Sequence, residues 1–170
     1  MKKKRICLYY SILMLFCQCF TGVGMVSALS SGEKAAIVDH CDSIKDNLKN
    51  VQKKDRQARV YLGRLYETIQ NKLETPLTLR LVENYIPHNS LIENRDSFAE
   101  RRIRFNEDYV FYQQALDELI ATDCKNEPEK FYSALTRVRD KRKIVNDDVT
   151  ALRGLVTEQI KIVLGIKDKL

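Results

Sequence analysis

The sequence predicts an all-α fold: an elongated, coiled-coil-like up-down-up three-helix bundle with a short capping helix, preceded by a signal-peptide helix. Three observations predict it. Apolar residues recur at alternating steps of four and three along three long stretches, alternation by two is absent, and no Asn-Gly or Asp-Gly hairpin turn occurs. A chain with no Trp, few Gly and Pro, and many Leu, Ile, Lys, Arg, Glu and Gln favours helices over strands.

Residues 1–28 read as a secretory signal. Lys2, Lys3, Lys4 and Arg5 form the basic start, "ICLYYSILMLF" the apolar run, and Gly22 and Gly24 break the helix near its end. Val26 and Ala28 suit the small-residue positions of a cleavage site, so cleavage is expected after Ala28. The alternative is an uncleaved anchor, because Ile6 to Val26 is as long as the roughly 20 residues a bilayer needs. In that case residues 6–26 are the sole membrane contact. Both alternatives place residues 29–170, read as a single domain, outside the cytoplasm, secreted or in the cell envelope.

The net charge of +6 suggests a nucleic-acid partner at first. Four of the 29 basic residues lie in the first five positions, however, and no acid precedes Glu33, so from residue 29 onward 25 bases face 23 acids. That near-neutral remainder argues against nucleic acid. The basic runs "KNVQKKDRQAR" and "RVRDKRK" read as mixed, solvated helix surface.

The first stripe, Ile37, Cys41, Ile44, Leu48, Val51, Asp55, Ala58, Leu62, Leu65 and Ile69, predicts one helix over about 32–74, started by a Ser30–Glu33 capping box and ended or kinked at Thr75-Pro76. A short helix from Pro76 to about Tyr85 and a turn at Pro87 follow. The second stripe runs Phe98, Arg102, Phe105, Tyr109, Tyr112, Leu116, Leu119, with possible capping boxes at Ser90–Glu93 and Ser97–Glu100 and an end near Thr122. The third runs Phe131, Leu135, Val138, Arg142, Val145, Val149, Leu152, Val156, Gln159, Val163 over about 127–165, with Asn126 as N-cap and Pro128 in the first turn. A link of a few residues at 123–126 makes the last two helices antiparallel neighbours.

"VDHCD" at 38–42 raises the question of a metal site or a nucleophile. Neighbours on a helix point about 100° apart, so these side chains cannot converge on one ion, and no H-E-x-x-H or C-x-x-C follows. Flanking carboxylates disfavour a Cys41 thiolate. The third reading is a disulfide. Without the signal two cysteines remain, Cys41 and Cys124, and the up-down-up arrangement brings both to one pole. On the chain-entropy account, closing a loop of that length stabilises the fold by about 4.5 kcal/mol.

Asp55 and Arg142 fall inside the stripes at one level of the bundle. They form either an interior ion pair that fixes register or two side chains reaching solvent at the edge. No catalytic residue, metal or cofactor is assigned, and an enzyme is not expected, since a narrow helical rod offers little concave volume.

With its lysine-rich start and the run "NEPEKFYSALTRVRDKRKIVNDD", the chain resembles uncharacterised helical secreted proteins of small-genome candidate-phylum bacteria. That resemblance implies export and helicity and assigns no functional residue. The expected function is a noncatalytic exported protein that binds another protein through its long surface. The alternatives are a small-molecule sensor or binding module with a pocket near 76–92, and a holdase chaperone similar in outline to the tentacled periplasmic family. Oligomeric state is left open.

Overall fold

Five α-helices and one π-helical turn follow one another, and no strand occurs among the described residues. The computed structural model describes the backbone of residues 29–167 and side chains through residue 165. The expected signal peptide, its cleavage after Ala28 and the anchor alternative lie outside the described residues. From Ser31 onward the chain forms one compact unit.

The first long stripe does not form one helix. α1 spans Ser31–Asp39 and α2 spans Cys41–Thr68, separated at His40, whose φ of −104° and ψ of 11° leave the helical region. The Ser43 hydroxyl donates to the His40 carbonyl at 2.9 Å, so the bend is bonded locally. Beyond Thr68 the chain winds into a π-helical turn, Ile69–Glu74, and passes without a break into α3, Thr75–Glu83.

Pro76 was expected to end or kink the helix; the winding continues through it, widened just before it into the π turn. The Thr75 amide donates to the Gln70 carbonyl, five residues back, and the Thr75 hydroxyl bonds the same oxygen at 2.8 Å. This wider turn takes up the space a proline ring needs against the preceding turn, and Pro76, which has no N–H to give, enters α3 in its first turn.

α3 ends in a Schellman arrangement. The Ile86 amide donates to Leu81 O at 2.9 Å and the Tyr85 amide to Val82 O at 3.1 Å, with Tyr85 at a φ of 55°. Glycine usually holds that position. α4, Asn89–Ala121, starts after His88, whose ring makes no capping bond, so neither serine–glutamate box serves as the cap. The His88 Nδ1 instead donates to Ile86 O at 2.6 Å.

Asp123 organises the α4–α5 link. Its Oδ1 accepts from the amides of Lys125 and Asn126, and its Oδ2 accepts from the Asn126 side chain at 2.7 Å. Asn126 is thereby spent on Asp123 rather than on capping α5, Pro128–Lys167, whose first turn is closed by Phe131 N–H to Glu127 O at 2.9 Å. The Asn126 side chain, followed by the amides of Asn126 and Lys125, holds the Asp123 carboxyl below the usual range.

α4 and α5 pack closely along each other, while α2 lies mainly on α4. Two apolar cores result. One contains Cys41, Tyr112, Leu116, Leu119, Cys124, Phe131, Ala134 and Val138; the other contains Tyr66, Ile69, Phe98, Phe105 and Leu152. Val145 packs against both. In the second core Tyr66 meets Phe98 and Phe105 edge to face, with centroids 5.8 and 5.7 Å apart. No helix of the described residues is long and apolar enough to cross a membrane.

Candidate functional site

At the first pole Cys41 and Cys124 are joined as a disulfide with a Cα separation of 5.6 Å. Both sulfurs are buried within the first core. The Cys41 sulfur is therefore no nucleophile. Asp42 turns outward to Lys125 Nζ at 2.7 Å, and Lys34 on α1 pairs with Glu129 on α5. The disulfide is consistent with an extracytoplasmic protein.

Asp55 and Arg142 meet midway along α2 and α5, with Arg142 Nη2 3.2 Å from Asp55 Oδ1. The arginine side chain keeps 57% of its exposure and the aspartate 20%, so the pair spans the edge and neither alternative describes it alone. The inner partner is Tyr112, whose hydroxyl donates to Asp55 Oδ2 at 2.5 Å. Burial, then the Asp55 hydrogen bond and charge, push the Tyr112 phenol up. Tyr112 was legible as a core residue, but nothing in its spacing marked it as the carboxylate's donor.

Next to it, Arg59 lies over the rings of Phe105 and Tyr109, 5.4 and 5.6 Å from the centroids, and donates to Asn106 Oδ1 at 2.6 Å. Gly63 gives that guanidinium room: a Cβ there would stand 2.7 Å from Arg59 Nη1. Deeper on the α4–α5 seam, Asp148 is almost fully buried and bonded to Arg101 Nη1 at 2.9 Å. Burial, then the Asp148 carboxylate, raise the Asp108 pKa.

The second pole differs in kind, and its geometry follows from the π turn. Tyr66 is buried, and seven residues on, where an α-helix repeats its inward face, Leu73 is 59% exposed; Glu74, eight residues on, is 0% exposed. The extra residue of the π turn rotates the chain by one position, so a leucine faces outward and a carboxylate inward. Glu74 is fully buried with no ion pair to its carboxylate among the described residues, and the Gln159 side chain is its nearest polar support. Desolvation raises the Glu74 pKa, and Gln159, Arg95 and Arg102 offset part of that effect. Gln70 Oε1, Asn94 Oδ1 and Arg102 Nε are buried without partners. Asn94 Nδ2 reaches Leu155 O at 3.2 Å.

On the outer side of the same turn lies a groove of about 500 Å³ between the π turn with α3 and the end of α5. Its walls are Ile69, Leu73, Leu77 and Val156, Ile160, Leu164, and Gln159 lines it beside them. Pro76, Leu77 and Arg80, from the 76–92 segment near which the sequence placed a pocket, help to line it, and about half of the lining comes from the end of α5. Neither a family model, nor a curated protein, nor a solved structure matches this chain. Function therefore rests on the residues themselves. Among the described residues no cluster of three or more His, Cys, Asp and Glu is placed to hold a metal ion.

Proposed function

We propose that this is an exported, noncatalytic protein of the cell envelope or extracellular space that works by binding another protein, its three long helices forming an up-down-up bundle capped by α3. The observation that carries this reading is the apolar exterior at the π-turn end. Val60, Tyr61 and Leu65 on α2, Leu79 and Val82 on α3, and Tyr85 just beyond it are all exposed. Exposed aliphatic and aromatic side chains of this size mark interaction sites in soluble proteins, and Ile103, Val110 and Phe111 on α4 and Ile144 on α5 extend the exposed apolar surface away from that end. The disulfide, the cleavable-signal pattern of residues 1–28 and the likeness to exported helical proteins support export. The tie between the start of α2 and the α4–α5 link, with α4 lying against both other long helices, supports the bundle.

In-cell crosslinking from a photoreactive group at residue 61 tests the reading. One protein should be captured, and Val82→Glu with Tyr85→Glu should abolish the capture without changing the circular dichroism. Capture that is unaffected by the two glutamates, or no captured protein at all, would refute it.

A further inference from the structure

We infer that the groove beside the π turn is a binding site for a single-chain anionic amphiphile, an acyl chain carrying a carboxylate or phosphate head. This goes beyond protein binding and uses a different face. Three features of the groove select the ligand.

The first is its lining. Ile69, Leu73, Pro76, Leu77 and, from α5, Val156, Ile160, Val163 and Leu164 supply hydrocarbon from both sides. Leu73, Ile160 and Leu164 remain more than half exposed, so the groove leaves apolar surface uncovered in the chain alone. Burying methylenes against such walls favours binding in proportion to the apolar area covered.

The second is its charge. The two charged residues of the lining, Lys72 and Arg80, are both cationic and sit two α-helical turns apart on the π turn and α3. No acid lines the groove, and neither cation makes an ion pair among the described residues. An anionic head beside an apolar chain satisfies both cations; a neutral or cationic head does not.

The third is size. The groove holds about 500 Å³, within the range of small-molecule sites. From residue 69 to residue 80 it runs about 16 Å, and a partner helix of that length, about 11 Å across, would fill roughly 1,500 Å³. An acyl chain lies inside the groove, whereas a helix would rest on its rim.

Laurate and a lysophosphatidate of the same chain length, with monolaurin and dodecyltrimethylammonium as neutral and cationic probes, test this on the full chain below each probe's micellar concentration. Thermal melting should rise saturably with both anions, and isothermal titration should give one site. The neutral probe should bind at least tenfold more weakly and the cationic probe not at all. Ile160→Glu, at an exposed position, should abolish binding of both anions with the fold unchanged. Lys72→Gln with Arg80→Gln should weaken the anions about tenfold and leave monolaurin unchanged. If laurate and lysophosphatidate differ, the preferred head tells carboxylate from phosphate. No saturable binding by either anion overturns the site. Equal binding of all head groups overturns its charge selection, and binding that survives Ile160→Glu, including any to the apolar residues 6–26, overturns its location.

Discussion

The two ends of the chain's helical part are built on opposite terms. At the disulfide end every member of the buried cluster is a cysteine, an aliphatic or an aromatic residue, and a covalent bond ties α2 to the α4–α5 link. The π-turn end has an aromatic group, Tyr66, Phe98 and Phe105, and also buries Glu74, Thr78, Asn94 and Gln159, of which Asn94 leaves its Oδ1 without a partner. An unsatisfied buried polar atom costs about 1–3 kcal/mol; such atoms also occur at the Tyr109 hydroxyl beside the first core and at Gln113 Nε2 on α4, but the fully buried glutamate is at the π-turn end. Glu74 neighbours Gln159, which lines the groove. The disulfide end is tied covalently, and the π-turn end is where the proposed contacts with another molecule lie.

Removing the anchor should have the largest effect. With a sequence separation of 83 between its cysteines, the disulfide contributes about 4.5 kcal/mol on the chain-entropy account. Cys41→Ser and Cys124→Ser should each lower the urea-unfolding free energy by about that amount, and the double variant by no more than either. A loss in the double variant close to the sum of the two singles would mean that the cysteines act separately.

The next test is Glu74→Gln, which keeps the side chain's shape and removes its charge. Burial raises the Glu74 pKa above its ordinary 4.5, so the folded chain holds a proton that the unfolded chain releases. The contribution of Glu74 is therefore most favourable below about pH 4.5 and is lost as the pH rises through the folded value. Glu74→Gln should be more stable than the native chain by about 1–3 kcal/mol at neutral pH, with the difference shrinking as the pH falls toward 4.5. A difference independent of pH, or a destabilised variant at neutral pH, would show that the carboxylate is paired in solution.

These two residues also divide what was legible in the sequence from what was not. The cysteines could be placed because the heptad stripes fix a level along each helix, and two levels suffice to say which pole a residue occupies. Glu74 could not. It sits between Leu73 and Thr75 in a stretch that reads as helix surface, and only the π turn carries it inward. An inserted residue leaves no periodic mark, because the stripe before it ends at Ile69 and the one after it is a single short helix. For the same reason the groove was half legible: Leu77 and Arg80 fall in the predicted capping segment, but Leu73 becomes a wall through the shift in phase. Asp55 and Arg142 were matched by level alone, which placed them together but could not reveal Tyr112 as the inner donor.

The boundary between the two ends runs through that triad. Tyr112 belongs to the disulfide-side core, and Asp55 with Arg142 borders the crevice that leads to Phe105 and Val149 on the other side. Tyr112→Phe removes a charge-assisted hydrogen bond made from the interior and should cost about 1.5–2 kcal/mol. Arg142→Ala removes an exposed ion pair and should cost about 0.5 kcal/mol or less, less still in high salt. Equal losses in chemical denaturation would place the weight of the contact on the ion pair instead.

The smallest expected effect is also the most local. Tyr85 has a φ of 55° and is 95% exposed. A left-handed backbone costs a residue with a Cβ about 1–2 kcal/mol, and glycine, which escapes that strain, gives back about 0.5–1 kcal/mol through the greater freedom of the unfolded chain. Because almost none of the tyrosine is covered, no packing is lost, and Tyr85→Gly should stabilise the fold by about 0.5–1 kcal/mol in thermal or urea unfolding. The same change should reduce capture of a protein partner at the α3 end while leaving laurate binding in the groove untouched, since Tyr85 is not part of the groove lining. A tyrosine kept at a strained, solvent-facing position where glycine would be more stable is best accounted for by contact with something outside the chain. If Tyr85→Gly neither stabilises the fold nor weakens capture, the strain has no functional counterpart, and the π-turn end loses one of the features that set it apart from the disulfide end.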